Sequence, residues 1–213
     1  MEDLASFYKS PLYPWFVRHC RLGGPVVGIC GGYQMMGREI SDPDKVESNR
    51  PWMPGLGLLP VSVRFQKEKI ARSVTARVMR APFSGGEDLE GMLLEGYEIR
   101  HGRQEAIGEG LFNLHDSSGA LLAHEGFSAE GARCCFGSPL HGLFENNAFR
   151  KAFYEALRPE GLPEGHLSDP QSLFDAELDR LADEVSGSLD LEVFLAADQT
   201  GEVGRGVPPI HVP

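Results

Sequence analysis

Gly28-Ile29-Cys30-Gly31-Gly32 follows directly on the apolar run that begins at Pro25-Val26-Val27 and precedes Tyr33-Gln34-Met35-Met36, a segment able to start a helix. The order glycine, any residue, nucleophile, any residue, glycine is that of a sharp strand-to-helix turn. An apolar run this short suits a parallel strand covered on both faces. Such a turn forces its central residue into a strained conformation, and neighbours without a Cβ leave room for it. The sulfur of Cys30 is then expected to project over a sheet at a helix N-terminus, where N–H groups and the helix dipole lower a thiol's pKa. The Gly31 N–H faces a developing oxyanion in the same geometry. A buried cysteine in a glycine-rich turn produces the same pentapeptide, so the remainder of the chain has to decide between the two.

The flanking pattern predicts an α/β domain. Before the elbow, the apolar-periodic run Leu12 to Cys20 predicts one short helix, with Pro11 and Pro14 near its start, and Gly23-Gly24 ends it. From Gly55 to Met79 the period changes to two, with Val61, Val63 and Phe65 in one stretch and Val74, Ala76 and Val78 in another, which predicts two strands. Leu93 to Ile99 and Ala120 to His124 are further strands, set apart by turns such as Ser84-Gly85-Gly86 and Asp116-Ser117-Ser118-Gly119. Phe149, Phe153 and Leu157 predict an amphipathic helix over Ala148 to Leu157 that covers the sheet, with Asn146-Asn147 as its cap. Leu173, Phe174, Leu178, Leu181 and Val185 mark another helix, and Leu189 to Leu195 a third. One domain over residues 1–197 and a flexible tail over 198–213 complete the expectation.

Composition narrows the function. A chain of 213 residues with a formal net charge of -11 lacks the basic surface that phosphate neutralisation needs, which argues against nucleic acid. No run of about 18 uninterrupted apolar residues is present, and Met1-Glu2-Asp3 does not read as a signal peptide, so a cytoplasmic protein without a membrane contact is expected. Cys20, Cys30, Cys134 and Cys135 show neither zinc spacing nor the density of a disulfide framework. Reduced thiols follow, with Cys20, Cys134 and Cys135 read as small buried hydrophobes and no metal site.

A second element is Gly137-Ser138-Pro139-Leu140-His141-Gly142-Leu143-Phe144, where small residues bracket a histidine and permit the close approach a general base needs. His141 alone is one of seven histidines and has a surface or core reading of equal simplicity. Taken together, Cys30-Gly31-Gly32-Tyr33-Gln34-Met35-Met36-Gly37, Gly96-Tyr97-Glu98-Ile99 and His141-Gly142-Leu143-Phe144 resemble, in order and spacing, the C-terminal part of the cobyric acid synthase family of the cobalamin pathway. Asp42-Pro43, Gly55-Leu56-Gly57-Leu58-Leu59 and Leu178-Asp179-Arg180-Leu181-Ala182 extend the likeness over roughly Asp3 to Leu195.

That resemblance implies the class I glutamine amidotransferase fold, a flavodoxin-like mixed sheet with flanking helices. It implies that Cys30 attacks the side-chain amide of glutamine, that His141 moves the proton, and that ammonia leaves a glutamyl thioester for a synthetase domain. An amide is a poor electrophile, so thiolate, base and oxyanion donor (Gly31) are all required. Gln34 stands where related amidotransferases place a substrate-contacting glutamine, and Tyr97 and Glu98 lie in the segment that faces glutamine. The residue after Ile99 is usually histidine in the family and is Arg100 here, with His101 next. On a regular strand one residue of displacement turns the imidazole to the opposite face, unless a loop intervenes at Arg100.

Relatives of this kind carry an ATP-dependent synthetase domain and further strands ahead of the segment like Glu2-Asp3-Leu4-Ala5. The expectation is therefore a fold lacking the family's first strands, with one helix and one strand before Cys30. No G-x-x-x-x-G-K-S/T pattern is present. ATP and Mg are accordingly expected in the synthetase part, together with the corrinoid, and no cofactor in this chain. A truncated form of cobyric acid synthase, a subunit working with a separate synthetase, and a non-catalytic relative are the alternatives. Cobyrinic acid a,c-diamide synthase shares the Cys and His motifs, and an unrelated thiol hydrolase could use the same elbow. An uncovered sheet edge beside Ile29, and with it self-association, is a further expectation.

Overall fold

The apolar run after Pro25 forms β1 (Val26–Ile29) in a computed structural model that describes residues 1–106, 108–158 and 169–188. Two helices precede it, α1 (Glu2–Lys9) and α2 (Leu12–Arg21), where one was expected. In α1 a single fully buried residue, Leu4, gives the apolar spacing little to repeat. Acidic Glu2 and Asp3 in its first turn and Lys9 in its last complement the helix dipole instead. Pro11 is the N-cap of α2 and Pro14 sits in its first turn, where no intrahelical N–H is lost.

β1 pairs in parallel with β9 (Cys135–Ser138), in the register Val26 to Cys135 through Ile29 to Ser138. β9 pairs on its other side with β8 (Phe127–Ser128), antiparallel. A second, six-stranded sheet runs β3 (Trp52–Pro54), β2 (Glu39–Ser41), β4 (Val61–Val78), β6 (Phe112–His115), β7 (Leu121–Glu125), with β5 (Leu93–Ala106) also paired to β4. The two strands expected between Gly55 and Met79 are thus one strand of 18 residues. Its middle is exposed and polar, so period two lapses there, but a continuous β5 holds the ladder from Val61 to Arg77, with one irregularity between Phe65 and Ile70. Ladder hydrogen bonds do not need an apolar face, which is why the pattern missed the connection.

Successive residues of β9 face two cores. Phe136 and, one residue before the strand, Cys134 belong to a cluster with Val74, Ala76, Val78, Leu94, Leu114 and Leu140. Cys135 belongs to one with Leu4, Tyr33, Ile40, Val61 and Val63. α4 (Asn147–Leu157) covers the first cluster with Phe149, whose ring meets Phe83, Phe136 and Phe144 edge-on at 5.4–6.2 Å. Burial of a phenyl ring of this kind contributes about 1.5–3 kcal/mol. Asn146 precedes α4 but makes no capping bond. Its amide instead clamps the strand opposite, accepting from Glu95 N–H and donating to Glu95 and Gly142 carbonyls, each at 2.9 Å.

The chain divides into two units, Met1–Gly165 and His166–Pro213. The second contributes α5 (Pro170–Ser188), which contains the helix expected from Leu173 to Val185 and carries Arg180 paired with Glu177 and Glu184. The third helix expected over Leu189 to Leu195, the boundary at 197 and the tail over 198–213 lie outside the described residues. Among the described residues no helix is long and apolar enough to cross a membrane.

Candidate active site

Cys30 lies between β1 and the short helix α3 (Gly31–Met36), with φ +50° and ψ -109°, an uncommon conformation for a residue with a Cβ. Its backbone is held there from both sides. The Cys30 N–H donates to the Ser138 carbonyl at 2.9 Å, and its carbonyl accepts from Gln34 N–H at 3.1 Å. The glycines contribute unequally. A Cβ on Gly28 would lie 2.5 Å from the Met36 sulfur and 2.8 Å from the backbone of Tyr33, so α3 can fold back on β1 only over glycine. At Gly31 and Gly32 a Cβ meets nothing within 4 Å, so space is not the reason for glycine there.

The sulfur of Cys30 lies 3.5 Å from the Ile99 carbonyl, as donor, on the wall of a cavity of about 240 Å³. Gly31, Gln34, Glu47, Ile99, Arg100 and His101 are among the residues that line it. Burial pushes the thiol above its ordinary value; the Gly31 N–H and the Arg100 charge pull it back, and Glu47 pushes it further up. The lowered thiol expected from the helix N-terminus is therefore not what these surroundings favour, because desolvation outweighs two favourable contacts. Gln34 is more than nine-tenths buried and lines the cavity. Its side-chain amide lies against Gly102, where a Cβ would come within 2.4 Å of Nε2.

His141 follows β9 by three residues, at the same carboxyl end of the parallel pair as Cys30. Its backbone forms an antiparallel bridge with Tyr97, with N–H to O distances of 2.9 and 3.2 Å. The rings of Tyr97 and His141 stack at 4.9 Å, with 9° between planes. Gly96 permits this approach, since a Cβ there would lie 2.3 Å from the His141 carbonyl. The His141 Nε2 is buried and without a hydrogen-bond partner among the described residues. The strand segment from Tyr97 to Ile99 thus serves both groups, bridging to His141 at one residue and meeting the Cys30 sulfur two residues on. That separation is about 6.6 Å along a strand.

The remaining candidates are placed differently. Tyr97 is the stacking partner of His141 and Glu98 is fully buried, and neither of them, nor His141 itself, lines the cavity at Cys30. Glu98 binds Arg72 at 2.7 Å and Arg100 at 2.6 Å. Arg100 also donates to Glu125 at 2.8 Å and to the Gly102 carbonyl at 3.2 Å. Burial pushes the Glu125 carboxyl upward, whereas Arg100 stays charged because two carboxylates outweigh its own burial. His101 lines the cavity and bonds through Nδ1 to the Gln66 carbonyl at 3.0 Å.

Sequence patterns missed Glu47. It sits in the loop after Asp42, whose buried carboxylate accepts the N–H groups of Val46, Glu47 and Ser48, each at 2.8 Å. The signal was an Asp-Pro pair opening a polar segment, a combination that favours side-chain to backbone bonds. Among the described residues no group of three His, Cys, Asp or Glu side chains is arranged to hold a metal ion.

A nucleophile elbow on a mixed sheet, with a histidine at the same strand ends, has the layout of a glutamine amidotransferase. Comparison with known proteins agrees: residues 1–149 match the CobB/CobQ-like glutamine amidotransferase domain, and the chain belongs to that family. Its curated relatives include cobyric acid synthases. That of Sorangium cellulosum is 39% identical over 204 residues, 89% of this chain and 39% of the relative. Those of Syntrophobacter fumaroxidans and Dehalococcoides mccartyi (strain CBDB1) are 37% and 33% identical over 199 and 200 residues. The chain spans about two fifths of the length of these relatives.

Proposed function

We propose that this chain is the glutamine-hydrolysing, ammonia-supplying part of a cobyric acid synthase, with Cys30 as nucleophile and His141 as general base and acid. The observation that carries this is Cys30 itself, held at positive φ between β1 and α3 on the wall of a cavity. The Nε2 of His141, without a partner among the described residues and at the same strand ends, supports the pairing.

In this scheme His141 takes the thiol proton as sulfur attacks the side-chain carbonyl carbon of glutamine. The carbonyl oxygen becomes an oxyanion against the Gly31 N–H, and Gln34 offers its amide to the substrate. Collapse breaks the carbon–nitrogen bond, His141 returns the proton to nitrogen, and ammonia departs from the thioester. Water, deprotonated by the same imidazole, then releases glutamate and regenerates the thiol. ATP, Mg and corrinoid carboxylates are assigned to a synthetase part that would consume the ammonia, and the chemistry proposed here is carried by the chain's own side chains.

A diazo-ketone analogue of glutamine tests the assignment, because labelling requires a formed cavity and a reactive thiolate together. Mass spectrometry should find one adduct, on Cys30, and none in Cys30→Ala. The same variant should release no glutamate, while Cys134→Ala should keep the activity. Labelling at Cys20 or Cys135 in place of Cys30, or equal loss in both variants, would overturn it.

A further inference from the structure

We propose, resting on the glutaminase reading above, that Glu47 is the receptor for the α-ammonium group of the amino-acid substrate. Cys30, Gln34 and Glu47 line one cavity of about 240 Å³. Gln34 is more than nine-tenths buried and brings a side-chain amide to this wall, which suits a polar ligand. The backbone of Glu47 is fixed beside it, since its own N–H and those of both neighbours end on the Asp42 carboxylate, while the side chain is exposed.

The charges in the wall sort by availability. Arg100 is committed to Glu98 and Glu125. The Nδ1 of His101 donates to the Gln66 carbonyl. Glu47 enters no ion pair among the described residues. Asp3 and Met1 also reach the cavity, and the charge of Glu47 pushes the Cys30 thiol upward. An available anion beside a nucleophile opposes thiolate formation. A ligand ammonium paired with Glu47 cancels that opposition, so occupancy by a substrate with an α-amino group would favour ionisation of the thiol it is about to meet.

The test compares L-glutamine with 4-carbamoylbutanoate, the same molecule without its amino group, as protectants of Cys30 against iodoacetamide. Alkylation is read by mass spectrometry on the wild-type chain and Glu47→Gln, with thermal midpoints confirming equal folding. Protection by glutamine should weaken about tenfold or more in the variant, the usual worth of a charge-assisted hydrogen bond. Protection by 4-carbamoylbutanoate should be the same in both proteins, and the unliganded variant should alkylate faster than wild type at pH 7.5. Equal weakening for both compounds, or unchanged protection by glutamine, overturns the proposal while leaving the glutaminase intact. Failure of glutamine to protect the wild type overturns both.

Discussion

Gly28→Ala is the most direct challenge to the elbow. The added methyl would sit 2.5 Å from the Met36 sulfur and 2.8 Å from both Cα and N of Tyr33. Carbon contacts settle near 3.5–4.0 Å, so α3 has to retreat by roughly 1 Å. Met36 is a flexible side chain and can swing, but the Tyr33 backbone cannot, and the Tyr33 ring is fully buried. Overpacking of this kind costs about 1–3 kcal/mol, which in a domain of this size lowers the thermal midpoint by roughly 3–10 °C. Because Cys30 is fixed by the same turn, a shift near 1 Å should also lower glutamate release by about 10². Gly32→Ala is the matched control. Its methyl meets open space, and alanine is favoured over glycine within a helix by about 0.5–1 kcal/mol. Differential scanning calorimetry and glutaminase assays on the two variants should diverge, with Gly28→Ala the loser in both. Equal midpoints and rates, or a larger loss in Gly32→Ala, would refute the packing of α3 on β1.

Burial alone would raise the Asp42 carboxyl, but three backbone N–H bonds outweigh it and hold it below the ordinary value. Its stabilisation is thus complete above the unfolded carboxylate range near pH 4 and fades as pH falls through the folded value. Urea melts of Asp42→Asn should show a loss of about 2–4 kcal/mol at pH 7 and a narrowing gap below pH 4; a gap that widens in acid would contradict this. Glu145 folds back over Gly142 without bonding the imidazole, with its Oε2 at 3.4 Å from where a Cβ would stand. Glu145→Gln should keep glutaminase activity within an order of magnitude, whereas a loss near 10⁴ would make it an orienting acid. Along β1, Val26 and Cys30 donate toward β9, so Val27 and Ile29 present their backbone groups to the side where no described strand pairs. Sedimentation of the isolated chain should show concentration-dependent association through this edge; a monomer at all concentrations would dismiss it.

Where an element is defined by its own residues, the sequence made it visible. The run to Ile29, the elbow at Cys30 and the helix bearing Phe149 each combine a short-range pattern with one local requirement. Elements defined by a partner were hidden. α1 is anchored by Leu4, which shares with Ile40 and Val61 a core assembled from distant segments. The exposed centre of β4 exists because β5 supplies its ladder. Asn146 has the composition of a cap, but the Glu95 backbone opposite offers it both a donor and an acceptor, which a helix end does not. Glu47 carries no pattern at all, since its place depends on a carboxylate five residues earlier capturing three amides.

The same distinction resolves the departure at Arg100. Strand parity predicts that Arg100 and His101 face opposite sides, yet both line the cavity. Opposite them β4 loses register between Phe65 and Ile70, so the single residue His101 faces four residues of its partner strand and regular pleating no longer dictates its direction. Arg100 keeps the parity of Glu98, two residues earlier, and that is what makes a buried guanidinium tolerable. Glu98 and Glu125 offset its charge, and Arg72 in turn shares Glu98. Removing one partner from a buried charge cluster of this kind typically costs about 3–5 kcal/mol. Glu98 is therefore occupied in holding Arg100, and the cavity wall beside Cys30 is completed by a cation that is already neutralised. With Arg100 committed in this way, Glu47 and Asp3 are the cavity-wall carboxylates that enter no ion pair among the described residues, so they are the anions free to meet a positively charged group of a ligand.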